Sequence, residues 1–101
     1  MQQKKDVTYR SRTDITAQIL EAANGGVTKN KIIYKAVLGY DQMNKYLMLL
    51  AKSSLLSYDF VTSSFKTTEK GLRFLNLYHK IDQLMNEEQQ NNNQPNNHNN
   101  F

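Results

Sequence analysis

Apolar residues recur at spacings of three and four along the first half of the chain. Ile15, Ile19 and Ala22, joined by Leu20 and Ala23, fall on one side of a 3.6-residue period, with Thr13 placed to cap this first helix. Asn24-Gly25-Gly26 ends it, because glycine takes the left-handed backbone of a helix terminus without steric cost. Thr28 offers a second cap, before a short apolar stripe of Ile32, Ile33, Ala36 and Val37 on a helix that otherwise shows Lys29, Lys31 and Lys35. Leu38-Gly39-Tyr40 closes it. Asp41 caps a third helix, from Asp41 to Ser53, in which Met43, Tyr46, Leu47 and Leu50 form the core side and Asp41, Lys45, Met48 and Lys52 the other.

Two helices joined by a short glycine-containing turn make a helix-turn-helix pattern. After Ser53 the period changes. Leu55 to Tyr58 and Ser64 to Thr67 read as two short strands around a polar stretch from Asp59 to Ser63, forming a hairpin wing, and Val27 can add a minimal third strand. Thr68 caps a last helix running to about Gln90, a rod of roughly 33 Å at the standard rise. Leu72 and Leu75 are expected to pack on the core. Phe74, Leu77, Ile81 and Leu84 continue at spacings of three, four and three, a seam that needs another helix to cover it. The expected class is mainly α with a small β-hairpin (α+β). Its parts are a flexible basic arm (1–12), a winged core (13–67), a long dimerisation helix (68–90) and a disordered Asn-rich tail (91–101).

Length and a 39% apolar content fit one small domain with a modest core and no deep cavity. Without cysteine, disulfides and thiolate metal sites are excluded. The polar, basic start has no apolar segment after it, and no run approaches the ~20 residues that cross a bilayer. The expectation is a cytoplasmic, nucleoid-associated protein. Thirteen Lys and Arg against nine Asp and Glu give a net charge of +4. The excess lies in the first third, where Lys4, Lys5, Arg10, Arg12, Lys29, Lys31 and Lys35 face only Asp6, Asp14 and Glu21. A field of this sign favours a polyanionic partner.

The wording of several segments adds to this order of elements: Ile19-Leu20-Glu21-Ala22-Ala23, Thr28-Lys29-Asn30-Lys31-Ile32-Ile33-Tyr34, Tyr40 with Tyr46-Leu47, and Thr67-Thr68-Glu69-Lys70-Gly71 with Phe74-Leu75. In these the chain resembles the archaeal winged-helix regulators related to the ten-kilodalton DNA-binding proteins of Sulfolobus. The resemblance implies a winged helix-turn-helix fold, binding to double-stranded DNA, and homodimers formed by antiparallel pairing of the last helices, a coiled coil. Charge independently favours that polarity. Lys70 and Arg73 stand near the start of the last helix and Glu87 and Glu88 near its end, so antiparallel partners oppose unlike charges. The wing departs from the family, offering Asp59, Val61, Thr62 and Ser63 with a single Lys66 where basic residues are common.

On this reading the third helix enters the major groove. Gln42 and Asn44 pair with adenine edges, Lys45 donates to guanine and Met48 touches a thymine methyl. Lys29, Lys31, Lys35, Tyr40, Lys52, Lys66, Arg10 and Arg12 hold phosphates. Tyr34 and Tyr40 are expected to be partly packed as well. Phe74, Leu77, Ile81 and Leu84 form the dimer interface. Catalysis has no foothold: His79 and His98 are the only histidines, no carboxylate completes a metal site, Thr68-Glu69-Lys70-Gly71 lacks the spacing of a phosphate loop, and no serine or threonine has a base beside it. No cofactor, metal or small-molecule substrate is expected. The leading function is a sequence-selective transcription regulator. Its rivals are an architectural DNA-binding protein with little base preference and a winged-helix module for protein interaction.

Overall fold

In the computed structural model, which describes residues 10–93, the first helix begins at a serine rather than at the expected Thr13. Ser11 caps α1 (Arg12–Ala22): its Oγ accepts from the Asp14 N–H at 3.0 Å, while Asp14 Oδ2 accepts from the Ser11 N–H at 3.1 Å. Thr13 has Thr16 three residues on, which cannot close this reciprocal box; Ser11 has Asp14. Gly25 and Gly26, at φ of +95° and +98°, turn the chain into β1 (Val27–Thr28). Thr28 caps α2 (Lys29–Ala36) as its sequence position predicts, its Oγ1 accepting from the Lys31 N–H.

The link between α2 and α3 (Tyr40–Lys52) is tighter than the sequence suggests. Val37 takes the left-handed conformation at φ 53°, and Leu38 drops into the core. Gly39 then opens α3 without a side-chain cap, so Asp41 is not the cap but part of the first turn, and Tyr40 starts the helix rather than ending the one before. Val37 consequently leaves the apolar stripe for solvent. A β-branched residue in this conformation is strained, and Arg10 steadies it. The Arg10 guanidinium donates to the Ala36 and Val37 carbonyls at 2.8 and 2.9 Å and to Gln18, satisfying orphan acceptors at the end of α2.

The wing is β2 (Leu56–Asp59) and β3 (Ser64–Thr67), and β1 joins it to make an antiparallel sheet of order β1-β3-β2. Val27 pairs with Phe65, and Leu56 with Thr67. Buried Thr67 donates from its hydroxyl to the Leu20 carbonyl at 2.6 Å and from its N–H to the Ala23 carbonyl, tying the sheet to α1. Thr68 then caps α4 (Glu69–Asn93), accepting from the Gly71 N–H at 3.0 Å.

The core gathers Ile19, Leu20, Ile32, Met43, Leu47 and Leu50 from three helices, closed by Leu56 and Leu75. Leu72, expected inside, is exposed because α4 meets the core along Gly71, Leu75 and Tyr78, spacings of four and three. Phe74 borders that line and sits partly buried against the core. Among the described residues no helix is long and apolar enough to cross a membrane. Residues 91–93, expected in the disordered tail, continue α4; the rest of that tail and the arm before Arg10 lie outside the described residues, and Arg12 is already helical.

A hydrogen bond between the first and last helices gives stability a pH signature. The Tyr78 hydroxyl donates to Asp14 Oδ1 at 2.6 Å. This bond, with those from Ser11, holds the Asp14 carboxyl below its ordinary range; the same bond, helped by burial, pushes the Tyr78 hydroxyl up to about 12. The carboxylate contribution is present above the unfolded value of about 3.9 and lost as pH falls through the lower folded value. The phenol contribution is present below its unfolded value of about 10 and lost as pH rises through 12. Tyr78→Phe is therefore expected to lose less stability than the parent between pH 10 and 12, read as urea midpoints. Equal alkaline losses would remove the bond from the list of stabilising contacts.

Candidate nucleic-acid interface

Because Met43, Leu47 and Leu50 are buried, helical geometry places Asp41, Lys45, Met48 and Lys52 on the outermost strip of α3, and all four are exposed. Met48 is 65% exposed and takes no part in the core. Asn44 borders this strip on the side of Tyr40. Gln42 lies on the opposite flank, seven residues before Leu49, which faces Arg12, Thr13 and Phe74. Asn44, half-buried, and Gln42, exposed, thus flank the strip of Lys45, Met48 and Lys52 on its two edges.

The cations divide in the same way. Lys29 Nζ donates to the Tyr40 hydroxyl at 3.4 Å and stands 4.8 Å from the centre of its ring, a cation–π contact across the α2–α3 junction. Lys31 and Lys35 share the other flank of α2, since residue 31 lies about 200° round the helix from residue 29. Arg10 is spent on the end of α2, not free in an arm. Arg12 borders the groove beside Tyr46 and Leu49. Lys66 alternates with Phe65 and Thr67, and so stands on the far face of the wing opposite Ser57. Tyr34 is 82% exposed and Tyr40 60%, contrary to the partial packing expected of both: Tyr34 lies off the Ile32–Ala36 side of α2 that faces the core, and Tyr40 is the first residue of α3, ahead of the turn at which Met43 enters the core.

The wing borders the same junction. Tyr58, Ser63 and Phe65 line a groove with Thr28, Lys29 and Asn30, so the α2 N-terminus borders one face of the hairpin and, through the Lys29–Tyr40 contact, the start of α3. At the hairpin tip Phe60 and Val61 are 86% and 92% exposed, in a stretch that looks polar in the sequence. Sequence reasoning passes over Phe60; an apolar pair inside a turn is the signal that exposes it.

On α4, Leu77, Ile81 and Leu84 are 60%, 60% and 66% exposed, and Met85 adds to them. Phe74, the first residue of the expected seam, is divided between that line and the core. Lys70 is drawn away from the seam, its Nζ donating to the Ser53 carbonyl at 2.8 Å. Among the described residues no group of three His, Cys, Asp or Glu side chains could hold a metal ion. His79 instead pairs with Glu21 at 2.8 Å.

A family model described as winged helix-turn-helix matches residues 9–86. The fold is similar to the crystal structure of Sso10a-2, a DNA-binding protein from Sulfolobus solfataricus, with a TM-score of 0.72 and 22% sequence identity over 80% of this chain and 87% of that one. No curated protein matches the sequence.

Proposed function

The chain belongs to the winged helix-turn-helix family, and from that premise we propose that it binds double-stranded DNA as a homodimeric transcription regulator, with α3 in the major groove. The outer strip of α3 carries this reading. Lys45, Met48 and Lys52 contribute nothing to the core, and a major groove ~12 Å wide admits a helix with such a face. Lys45 donates to a guanine edge, Met48 meets a thymine methyl, and Asn44, nearest the junction, pairs with adenine. Lys29, Tyr40 and Lys52 hold phosphates around this face. Gln42 pairs with an adenine at the other edge of the strip, Lys31, Lys35, Arg12 and Lys66 lie outside it, and Arg10 keeps the turn in shape. The DNA-binding character of Sso10a-2, which shares the fold, supports the same assignment. The reading assigns the chain no catalysis, cofactor or metal.

The exposed line of Leu77, Ile81 and Leu84 supports the dimer, since a long helix that leaves such a line uncovered gains by pairing. With Lys70 engaged at Ser53, Arg73 is the cation left to face the partner's acidic end in an antiparallel pair.

Lys45→Ala is expected to cost about 1–3 kcal/mol of discrimination at one base position. Lys29→Ala should weaken all duplexes alike and reduce the salt slope by about one per half-site. Anisotropy titrations with a selected and a scrambled duplex at three salt concentrations separate the two. If both variants weaken both duplexes equally, α3 does not read bases.

A further inference from the structure

We propose that Phe60, backed by Val61, is an apolar wedge that enters the minor groove beside the bases read by α3 and partly unstacks a base step, kinking the duplex. The inference rests on the DNA-binding reading above and adds to it a mode of contact.

The two side chains are the most exposed large apolar groups among the described residues, yet several contacts tie the turn that carries them. Asp59 Oδ1 accepts from the Val61 N–H at 2.8 Å and the Thr62 N–H at 3.5 Å. The Thr62 and Ser64 hydroxyls bond to each other at 2.7 Å. Tyr58 meets Phe60 edge-on at 4.9 Å and leans on Phe65 at 4.8 Å, and Phe65 packs against the core. An aromatic chain thus runs from the core to the tip, so Phe60 is presented in a defined direction rather than left loose.

Charge and size narrow the partner. From Tyr58 to Phe65 there is no Lys or Arg, and the one charged group, Asp59, turns its carboxylate inward to the turn amides, so the tip itself presents apolar surface, with Lys66 the single cation beside it. A two-residue tip falls far short of the ~800 Å² per partner that a stable protein interface buries. It does match the dimensions of a wedge: a minor groove is ~6 Å wide, and apolar side chains inserted there unstack base steps. Position links the tip to α3 through Tyr58, which borders Lys29 and so the Tyr40 end of α3 on one side and on the other lines a groove with Phe60, Val61, Ser57 and Lys66.

The test uses the full chain and a selected duplex carrying 2-aminopurine at successive steps, with end-to-end energy transfer measured on the same duplex. The wild type is expected to raise 2-aminopurine fluorescence at a step flanking the α3 site and to bend the duplex by ~20–90°. The double variant F60S/V61S should abolish both signals and lower affinity roughly tenfold without changing the salt slope, since no phosphate contact is lost. F60L should restore the bend, because leucine serves as a wedge. The exposure of both positions keeps folding out of the comparison, and circular dichroism checks this. A wild type that binds without unstacking or bending overturns the wedge alone, and so does an F60S/V61S complex bent like the parent. A wild type that binds no duplex overturns the DNA-binding reading and the wedge together. If F60S/V61S changes the sedimentation of the protein alone while duplex geometry stays as in the parent, the tip is a protein contact and the wedge is wrong.

Discussion

Replacing Ile81 with aspartate is expected to convert the proposed dimer to a monomer and to lower affinity for a duplex with two half-sites by about 10²–10⁴-fold, the avidity gained by linking two sites. Ile81 is the central residue of an exposed line with Leu77 and Leu84, and it lies beyond Tyr78, the last residue of α4 against the core. The substitution therefore spares the fold, while pairing would bury an unpartnered carboxylate on each side, at a cost of several kcal/mol per ion. Sedimentation equilibrium of parent and variant measures the first effect, and titration of one-site and two-site duplexes the second. A parent that is monomeric at all accessible concentrations, or a variant that stays dimeric, would remove α4 as the interface.

The second large effect concerns the fold itself. A Cβ at Gly71 would lie 2.5 Å from the Leu55 carbonyl oxygen and 2.6 Å from Thr67 Cγ2. The carbonyl is backbone, and it already accepts from the Thr68 N–H at 3.1 Å, so it cannot yield without loosening the junction of α3, the sheet and α4. Overpacking of this kind costs about 3 kcal/mol, whereas exchanging glycine for alanine inside a helix gains about 1 kcal/mol. Gly71→Ala is thus expected to lose about 2 kcal/mol, a fall in Tm of roughly 8–16 °C for a domain of this size. Gly39→Ser is the contrast, since a side chain there meets open space and supplies the cap that α3 lacks. Equal Tm values for Gly71→Ala and the parent would mean that α4 does not approach the sheet so closely.

Periodicity made the helices legible. In α3, Met43, Leu47 and Leu50 alternate with charged neighbours that cannot be buried unpaired, so only one side can face inward, and the structure buries that side. Thr28 and Thr68 stand where the chain changes from strand to helix, and both cap. The failures have local causes. Two candidate caps compete at the start of α1, and Asp14 three residues after Ser11 decides between them. At the third helix a left-handed Val37 shortens the turn, a conformation that the residue type gives no reason to expect.

The candidate site was harder to read because a sequence lists charges without their directions. Lys29, Lys31 and Lys35 look like one patch, yet the helix turns Lys29 toward Tyr40 and the other two away. Arg10 resembles a mobile arm residue until its acceptors, 26 and 27 residues distant, are known. Phe60 is masked by polar neighbours on the wing. Leu72 is left exposed and Phe74 leans partly on the core because Gly71, with no side chain, sets the line along which α4 meets the core.

The most direct test of α3 as a reading head is selection from random duplexes, followed by titration of the enriched duplex and a scrambled control across salt with the parent and an Asn44→Ala/Lys45→Ala variant. A palindromic or pseudo-palindromic duplex is expected to emerge, bound about 10³-fold or more tightly than the scrambled one. That preference should be lost in the variant while the residual, salt-dependent binding remains. Equal binding of both duplexes by the parent, or no binding to either at moderate salt, would contradict it.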